Sequence, residues 1–278
     1  MGKPGRIAFA MDGDVHTMAA DGSKEENETR KKFGTSTEQD PAWSPDGKRL
    51  AFSSDRGGSF DIYVLNVTSG DVARVTKAEG DEGNPRWSPD GKKLGLSVES
   101  GETSAIAVVN VDGTALTTLR QGPDGGFIGM SDWSPDGSRI AFAVDTSSGG
   151  GELDTWVMRV DGSCARQLTD TPGDDSGARF SPDGKHILFG SNRDDGGIYR
   201  MAADGTDVTR VTTAPRDASG LDTFRVAWSP DGRRIAWTGK YEGNLGTKIY
   251  VMKADGTGST AIHDRLDTAT SIDWQAFR

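Results

Sequence analysis

Three histidines, one cysteine and 42 carboxylates are the residues this chain offers to covalent or metal chemistry. Zinc or manganese catalysis needs several ligands converging on one point. His16 and His186 fall at regular strand positions, so only His263, at the end of a strand near irregular chain, is left as a functional candidate. Cys164 follows Asp161-Gly162-Ser163 in a turn with no histidine near it in sequence, which leaves the thiol without the base a nucleophile requires. No Gly-x-Ser-x-Gly elbow occurs, and no glycine loop opens a helix to cradle phosphate. The acidic runs at 170–175 and at Asp12-Gly13-Asp14 offer oxygen donors of the kind calcium takes, but outside the EF-hand spacing. The reading therefore requires no cofactor, keeps calcium only as an added ion, and leaves any metal ligand set unassigned.

Binding chemistry is better represented. Phe33, Phe60, Phe127, Phe224 and Tyr241 stand outside every regular pattern, in loops that also hold Glu38, Asp40, Glu79, Asp81, Asp124, Asp170, Asp217 and Asp264. Aromatic anchors in an acidic surround suit a protein or peptide partner with basic and apolar groups. The same surround suits a carbohydrate-binding or polysaccharide-lyase-type protein with a divalent cation, which remains the alternative. A second set is more regular: Ala42, Arg86, Asp132, Arg179, Ala227 and Asp273 each precede an aromatic residue, and Arg225 follows Phe224. If these side chains share a channel, they either hold a small polar ligand or pair with one another.

The elements that would position them are written in a repeat. Trp43-Ser44-Pro45-Asp46-Gly47 recurs at 87–91, 133–137, 180–184 (with Phe180 for tryptophan) and 228–232, about 46 residues apart, and Trp274 begins a sixth copy. Proline pre-sets φ, aspartate bonds the neighbouring backbone and glycine accepts φ > 0, so each copy is a tight hairpin turn. The turn leads into apolar stretches such as Arg49-Leu50-Ala51-Phe52, then Ile62-Tyr63-Val64, then an Asp-Gly or Ser-Gly turn and a short last strand. Each unit is thus a four-stranded meander, with strands A to D.

Residues 6–29 contain strands B, C and D without an A, and the chain's last strand-like run, Ser271-Ile272-Asp273-Trp274, is an A without followers. The two ends should therefore build one blade together. The expected fold is all-β: a six-bladed β-propeller of four-stranded antiparallel blades whose first blade is closed by the C-terminal strand. The expected boundaries are 5–30 plus 270–278 for blade 1, then 40–76, 84–120, 130–169, 177–212 and 225–263 for blades 2 to 6. In such a meander the B–C and D–A connections share one face, where irregular loops on a rigid scaffold serve recognition.

The run Trp-Ser-Pro-Asp-Gly-Lys-Arg-Leu-Ala-Phe, the following Ile-Tyr-Val and the closing Arg-Val-Thr resemble the PD40 (WD40-like) repeat of TolB-type β-propellers, over nearly the whole chain. The resemblance implies a bacterial, protein-binding propeller of the periplasm or the extracellular space. It covers the ring alone, since the smaller α/β domain that precedes the propeller in TolB-type proteins has no counterpart here.

Composition narrows the partners. A formal charge of −10, with 32 basic residues, argues against nucleic acid, whose phosphates need a basic footprint. No apolar run reaches the roughly 18 residues of a membrane span, so membrane insertion is not expected. One cysteine excludes an internal disulfide framework. The opening Met1-Gly2-Lys3-Pro4 is no secretory leader, which fits either a cytoplasmic protein or a trimmed mature chain. A ring without an open inner edge is expected to be monomeric. The most economical reading is a non-enzymatic binding or scaffold module.

Overall fold

The computed structural model describes residues 5–29, 36–145, 152–194, 196–213, 225–240, 247–266 and 271–276. Alternating apolar stretches and tight turns fold there into six sheets of four strands. β1 (Arg6–Met11), β2 (Asp14–Ala19) and β3 (Glu26–Asn27) open blade 1. Blade 2 is β4 (Glu38–Trp43), β5 (Arg49–Ser54), β6 (Asp61–Asn66) and β7 (Val72–Arg74). Blade 3 is β8 (Asp81–Trp87), β9 (Lys93–Ser100), β10 (Thr103–Asn110) and β11 (Thr117–Gln121). Blade 4 runs through β12 (Ile128–Trp133), β13 (Arg139–Asp145), β14 (Leu153–Arg159) and β15 (Arg166–Gln167). Blade 5 holds β16 (Asp175–Phe180), β17 (His186–Ser191), β18 (Gly197–Ala202) and β19 (Thr209–Thr213). Blade 6 is β20 (Val226–Trp228), β21 (Arg234–Lys240), β22 (Thr247–Lys253) and β23 (Thr260–Leu266).

β24 (Ile272–Trp274) then pairs antiparallel with β1, in the register Ile7 to Trp274 and Phe9 to Ile272. The two ends of the chain share a sheet, and the ring is closed as expected.

The recurring turns explain why the same five residues keep returning. In all five copies the serine hydroxyl donates to the aspartate two residues on at 2.6 Å. The backbone N–H of the first residue of strand B then donates to that serine oxygen, as Arg49 does to Ser44 at 2.9 Å. The C–D turn uses a second device. Asp161 accepts the N–H of Ser163 at 2.9 Å, and Cys164 takes φ +54. Lys24, Ala115 and Asp207 adopt the same left-handed conformation one residue after the equivalent serine or threonine, and Gly258 supplies it in blade 6. Cys164 is thus an exposed member of a structural series.

These turns do more than reverse the chain. Gly22, in the C–D turn of blade 1, lies against the carbonyl of Ile262 in the last strand of blade 6, where any Cβ would collide. Turns in blades 3, 4 and 6 stack on the preceding blade in the same way. The face that carries these C–D turns is therefore a belt of contacts between blades.

The hydrophobic core is divided among the blade interfaces. One cluster joins Phe9, Met18 and Trp274 of blade 1 to Ala236 and Val251 of blade 6. Another joins Trp43 and Phe52 of blade 2 to Ala8 and Val15 of blade 1. Four further clusters continue the pattern around the ring. The strand-A aromatics fill the wedges between blades, and an arginine of the preceding blade covers Trp87, Phe180 and Trp274. Arg49 lies 4.4 Å from the Trp87 ring centroid and Arg234 lies 5.2 Å from that of Trp274.

Buried acid–arginine pairs hold the loop face together. Glu38, fully enclosed, accepts from Ser54 at 2.9 Å and from Arg56 at 3.2 Å, and Arg56 stacks on Tyr63 at 4.2 Å. Asp175, Ser191 and Arg193 repeat the arrangement in blade 5. Blade 4 replaces the acid with buried Ile128 facing Val144.

Candidate functional site: the channel mouth

Strand A is the innermost strand of each blade, and it is not regular. Its ladder to strand B slips between Gln39 and Ala42, between Gly83 and Arg86, between Met130 and Asp132, and between Ser176 and Arg179. Asp40, Asn84 and Gly177 take φ of +54, +49 and +66 at these slips. Bulges of this kind re-aim the side chains that follow them. Aspartate and asparagine tolerate the left-handed region better than other residues with a Cβ.

Four of the residues before the aromatics, Arg86, Asp132, Arg179 and Asp273, reach across to a neighbouring blade. Asp273 Oδ2 accepts the backbone N–H of Trp43 at 2.7 Å, and Asp132 Oδ2 accepts that of Phe180 at 2.9 Å. The indole N–H groups of Trp87, Trp133 and Trp228 donate to the carbonyls of Ala42, Arg86 and Arg179 at 3.0, 3.0 and 3.3 Å. Arg86 donates to the Ser131 carbonyl at 3.1 Å and to that of Pro85 at 2.8 Å. Arg179 donates to the same Ser131 carbonyl and to that of Val226 at 3.3 Å.

Pairing between these channel charges, the plainer of the two expectations, is therefore not what the structure shows. Among the described residues no carboxylate lies within ion-pair distance of Arg86, Arg179 or Arg225. The acids bind backbone N–H groups, and Arg86 and Arg179 bind backbone carbonyls.

Burial governs the electrostatics. It pushes the Asp132 carboxyl up to about 6, against the pull of the Arg179 and Arg86 charges. It raises Asp273 for the same reason and against the same two arginines. Arg86 is lowered to about 9 by burial and then by the like charge of Arg179. Arg225 is lowered by burial, with Asp40 opposing. Asp132 and Asp273 are half-buried.

At the loop-side mouth the arginines open into a cavity of about 180 Å³. Arg86, Arg179 and Arg225 line it together with Asn84, Phe127 and Met130. Of the residues predicted from sequence, the structure thus brings together Arg86, Phe127, Arg179 and Arg225. Asp132, Asp273 and Asp40 act on those arginines through space, and Asp40 accepts the Asn84 N–H at 3.4 Å. Phe60 stands apart: it is half-buried, its N–H donates to Asp81 at 2.9 Å, and it lines no part of the cavity. Phe33, Phe224 and Tyr241 lie outside the described residues.

Sequence reasoning missed Asn84, Met130 and Ser131. Asn84 had a visible signal, since Asn84-Pro85-Arg86-Trp87 matches Asp40-Pro41-Ala42-Trp43 residue for residue. Ser131 had none, because its role belongs to a backbone oxygen. His263 proves to be part of the blade 1 and blade 6 junction, with its ring 5.4 Å from that of Phe9 and Nε2 3.3 Å from Glu25. Among the described residues, no three His, Cys, Asp or Glu side chains gather as a metal-binding group.

The model of the TolB beta propeller domain, PD40, matches residues 7–126 and 124–220. An uncharacterised protein of Agrobacterium fabrum is 31% identical over 206 residues, covering 70% of this chain and 52% of its own length. The chain therefore spans about half the length of that relative. The Tol-Pal system protein TolB of Francisella tularensis is 42% identical over 40 residues, 14% of this chain and 9% of that protein. Among solved structures, TolB from Acinetobacter baumannii superposes with a TM-score of 0.80 at 19% identity, over 99% of this chain and 68% of that one. A putative TolB from Agrobacterium tumefaciens gives 0.75 at 23%, over 98% and 94%. Repeat, closed ring and family match agree: the chain belongs to the PD40 family of TolB β-propeller domains.

Proposed function

We propose that this propeller is a non-enzymatic module that recognises a protein or peptide partner on its loop face, with the cavity at the channel mouth as the focus. The observation that carries this reading is the convergence of Phe127, Met130 and three arginines on one hollow, ringed by loops, in a rigid frame. A preformed cavity with apolar walls and a few fixed polar groups is the usual form of a recognition site. The half-buried Phe127 offers an aromatic surface at little entropic cost. Exposed Glu79 and Asp124 on loops of the same face, with exposed Asp81 at the start of β8, suit basic groups outside the cavity, and its walls suit an apolar anchor. Membership of the PD40 family supports the reading, as does the kinship to a protein named for the Tol-Pal system. A periplasmic or extracellular setting goes with it.

Selection of a displayed random-peptide library on the immobilised chain tests this. Enriched peptides, resynthesised and titrated by calorimetry, should bind the parent and bind Phe127→Ala at least about tenfold more weakly, one hot-spot contact's worth. The melting curve should stay unchanged. Peptides that bind both proteins alike, or a selection that enriches nothing, would remove the loop face from consideration.

A further inference from the structure

We infer that the channel-mouth cavity is a carboxylate-binding site, built from Arg86, Arg179 and Arg225, that receives a carboxylate of the partner. The inference rests on the loop-face reading and names the chemistry of its anchor.

The argument begins with unbalanced charge. Arg86 and Arg179 are 6% and 8% exposed, and arginines so enclosed normally face a carboxylate. Here two guanidiniums, from blades 3 and 5, converge instead on one oxygen, the carbonyl of Ser131 in blade 4 between them. Each uses its Nε and one terminal nitrogen on carbonyls, which leaves the other terminal nitrogen without a protein acceptor among the described residues. Arg225 goes further: its Nε is buried with no hydrogen-bond partner among the described residues. A guanidinium carries five N–H donors and no acceptor, so these remaining N–H groups suit an acceptor brought by a ligand.

The acids of the channel do not fill them. Asp273, Asp132 and Asp40 each hold a backbone N–H of the next blade, and no Asp or Glu among the described residues lines the cavity. Charge of one sign therefore collects at the mouth, and charge of the other sign is engaged alongside it.

The walls and the volume select the kind of anion. About 180 Å³, roughly six water volumes, admits one side chain or chain terminus. Phe127, Met130 and Val226 form an apolar wall beside the arginines. A planar carboxylate takes two parallel N–H bonds from a guanidinium fork, and the carbon chain it ends meets the apolar wall. A free phosphate has nothing to set against that wall.

Calorimetry at pH 7 and low salt tests the inference with defined probes. N-acetyl-L-phenylalanine presents a chain-terminal carboxylate, and N-acetyl-L-glutamate α-methylamide presents a side-chain one. N-acetyl-L-phenylalaninamide and inorganic phosphate are the controls. At least one carboxylate should bind about tenfold or more tightly than the amide, as expected for a charge-assisted bond, and the tighter of the two identifies its source. Arg225→Gln should lose about tenfold for that carboxylate while circular dichroism stays that of the parent. If R225Q melts early, Arg225→Lys replaces it, keeping the charge without the fork, and an affinity below the parent's is expected. Equal binding of amide and carboxylate, parental affinity in both variants, preference for phosphate, or no binding of either carboxylate would each overturn the inference. Library-selected peptides that bind through Phe127 but keep full affinity when amidated and stripped of acidic residues would overturn it too, leaving the proposed function standing.

Discussion

The carboxylate of Asp273 accepts the backbone N–H of Trp43 at 2.7 Å, a bond between residues 230 positions apart. It ties the strand that completes blade 1 to the innermost strand of blade 2. Asp132 and Phe180 repeat the bond between blades 4 and 5. Replacing Asp273 by alanine leaves a buried donor without an acceptor and should cost about 1–3 kcal/mol in urea denaturation. Asparagine at 273 keeps the accepting oxygen and should cost less than alanine. Equal losses in the two variants would show that the bond does not hold the seam.

Trp274, the next residue, is the aromatic wedge of the other seam, between blade 1 and blade 6. It is 5% exposed and packs in one cluster with Phe9, Met18 and Ala236. Its truncation to alanine should cost about 3–5 kcal/mol, the range for a large buried aromatic. Arg234→Ala, which removes only the cation above the ring, should cost about 1 kcal/mol. Chemical denaturation of both variants checks the ranking.

Gly256 takes φ +85 in the C–D turn of blade 6 and lies against the carbonyl of Val211 in blade 5. Alanine there meets both a disfavoured backbone conformation and a fixed neighbour, and a shift of one blade against another is its only relief. Gly256→Ala should therefore destabilise by about 2 kcal/mol or more. Gly58→Ala, at φ +107 with open space around it, isolates the backbone cost and should be the milder change. Thermal melts of the pair separate collision from conformation.

The Asp132 carboxyl, raised to about 6, holds its proton more firmly in the folded chain than at the ordinary value of 3.8. The folded state therefore gains stability from this group as pH falls from 7 through 6 toward 4, and loses it again as pH rises. Asp136 acts with the opposite sign: its hydrogen bonds to Ser134 and Ser138 hold it down at about 2, so its contribution is full above 3.8 and fades below. Asp132→Asn resembles the protonated acid and should flatten the first slope without lowering stability at pH 7.5. Melting temperatures from pH 4 to 8 for parent and variant read this directly, and an unchanged slope would contradict it.

Much of the architecture was written in local chemistry. Ser-Pro-Asp-Gly is a turn because its own side chains bond its own backbone, and such a device needs no distant residue. Five copies at near-constant spacing, with three strands of a unit at one end and the missing fourth at the other, leave a closed ring as the arrangement that buries every wedge aromatic. The loop aromatics were legible as residues without a place in the repeat. Their meeting point was not: Phe127 reaches the cavity and Phe60 does not, because each loop's path depends on the neighbouring blades.

Sequence by itself determined the strands, the turns and the joining of the two ends, since those follow from periodicity and from hydrogen bonds made within a few residues. Only the tertiary structure decided what the channel charges do. Arg86, Asp132, Arg179 and Asp273 occupy the same position in four units, so their spacing suggested pairs. All four turn instead toward backbone groups, the first three just after a bulge in strand A, and two arginines came to share the oxygen of Ser131. The geometry of a curved inner wall belongs to the assembled ring, and no single repeat contains it.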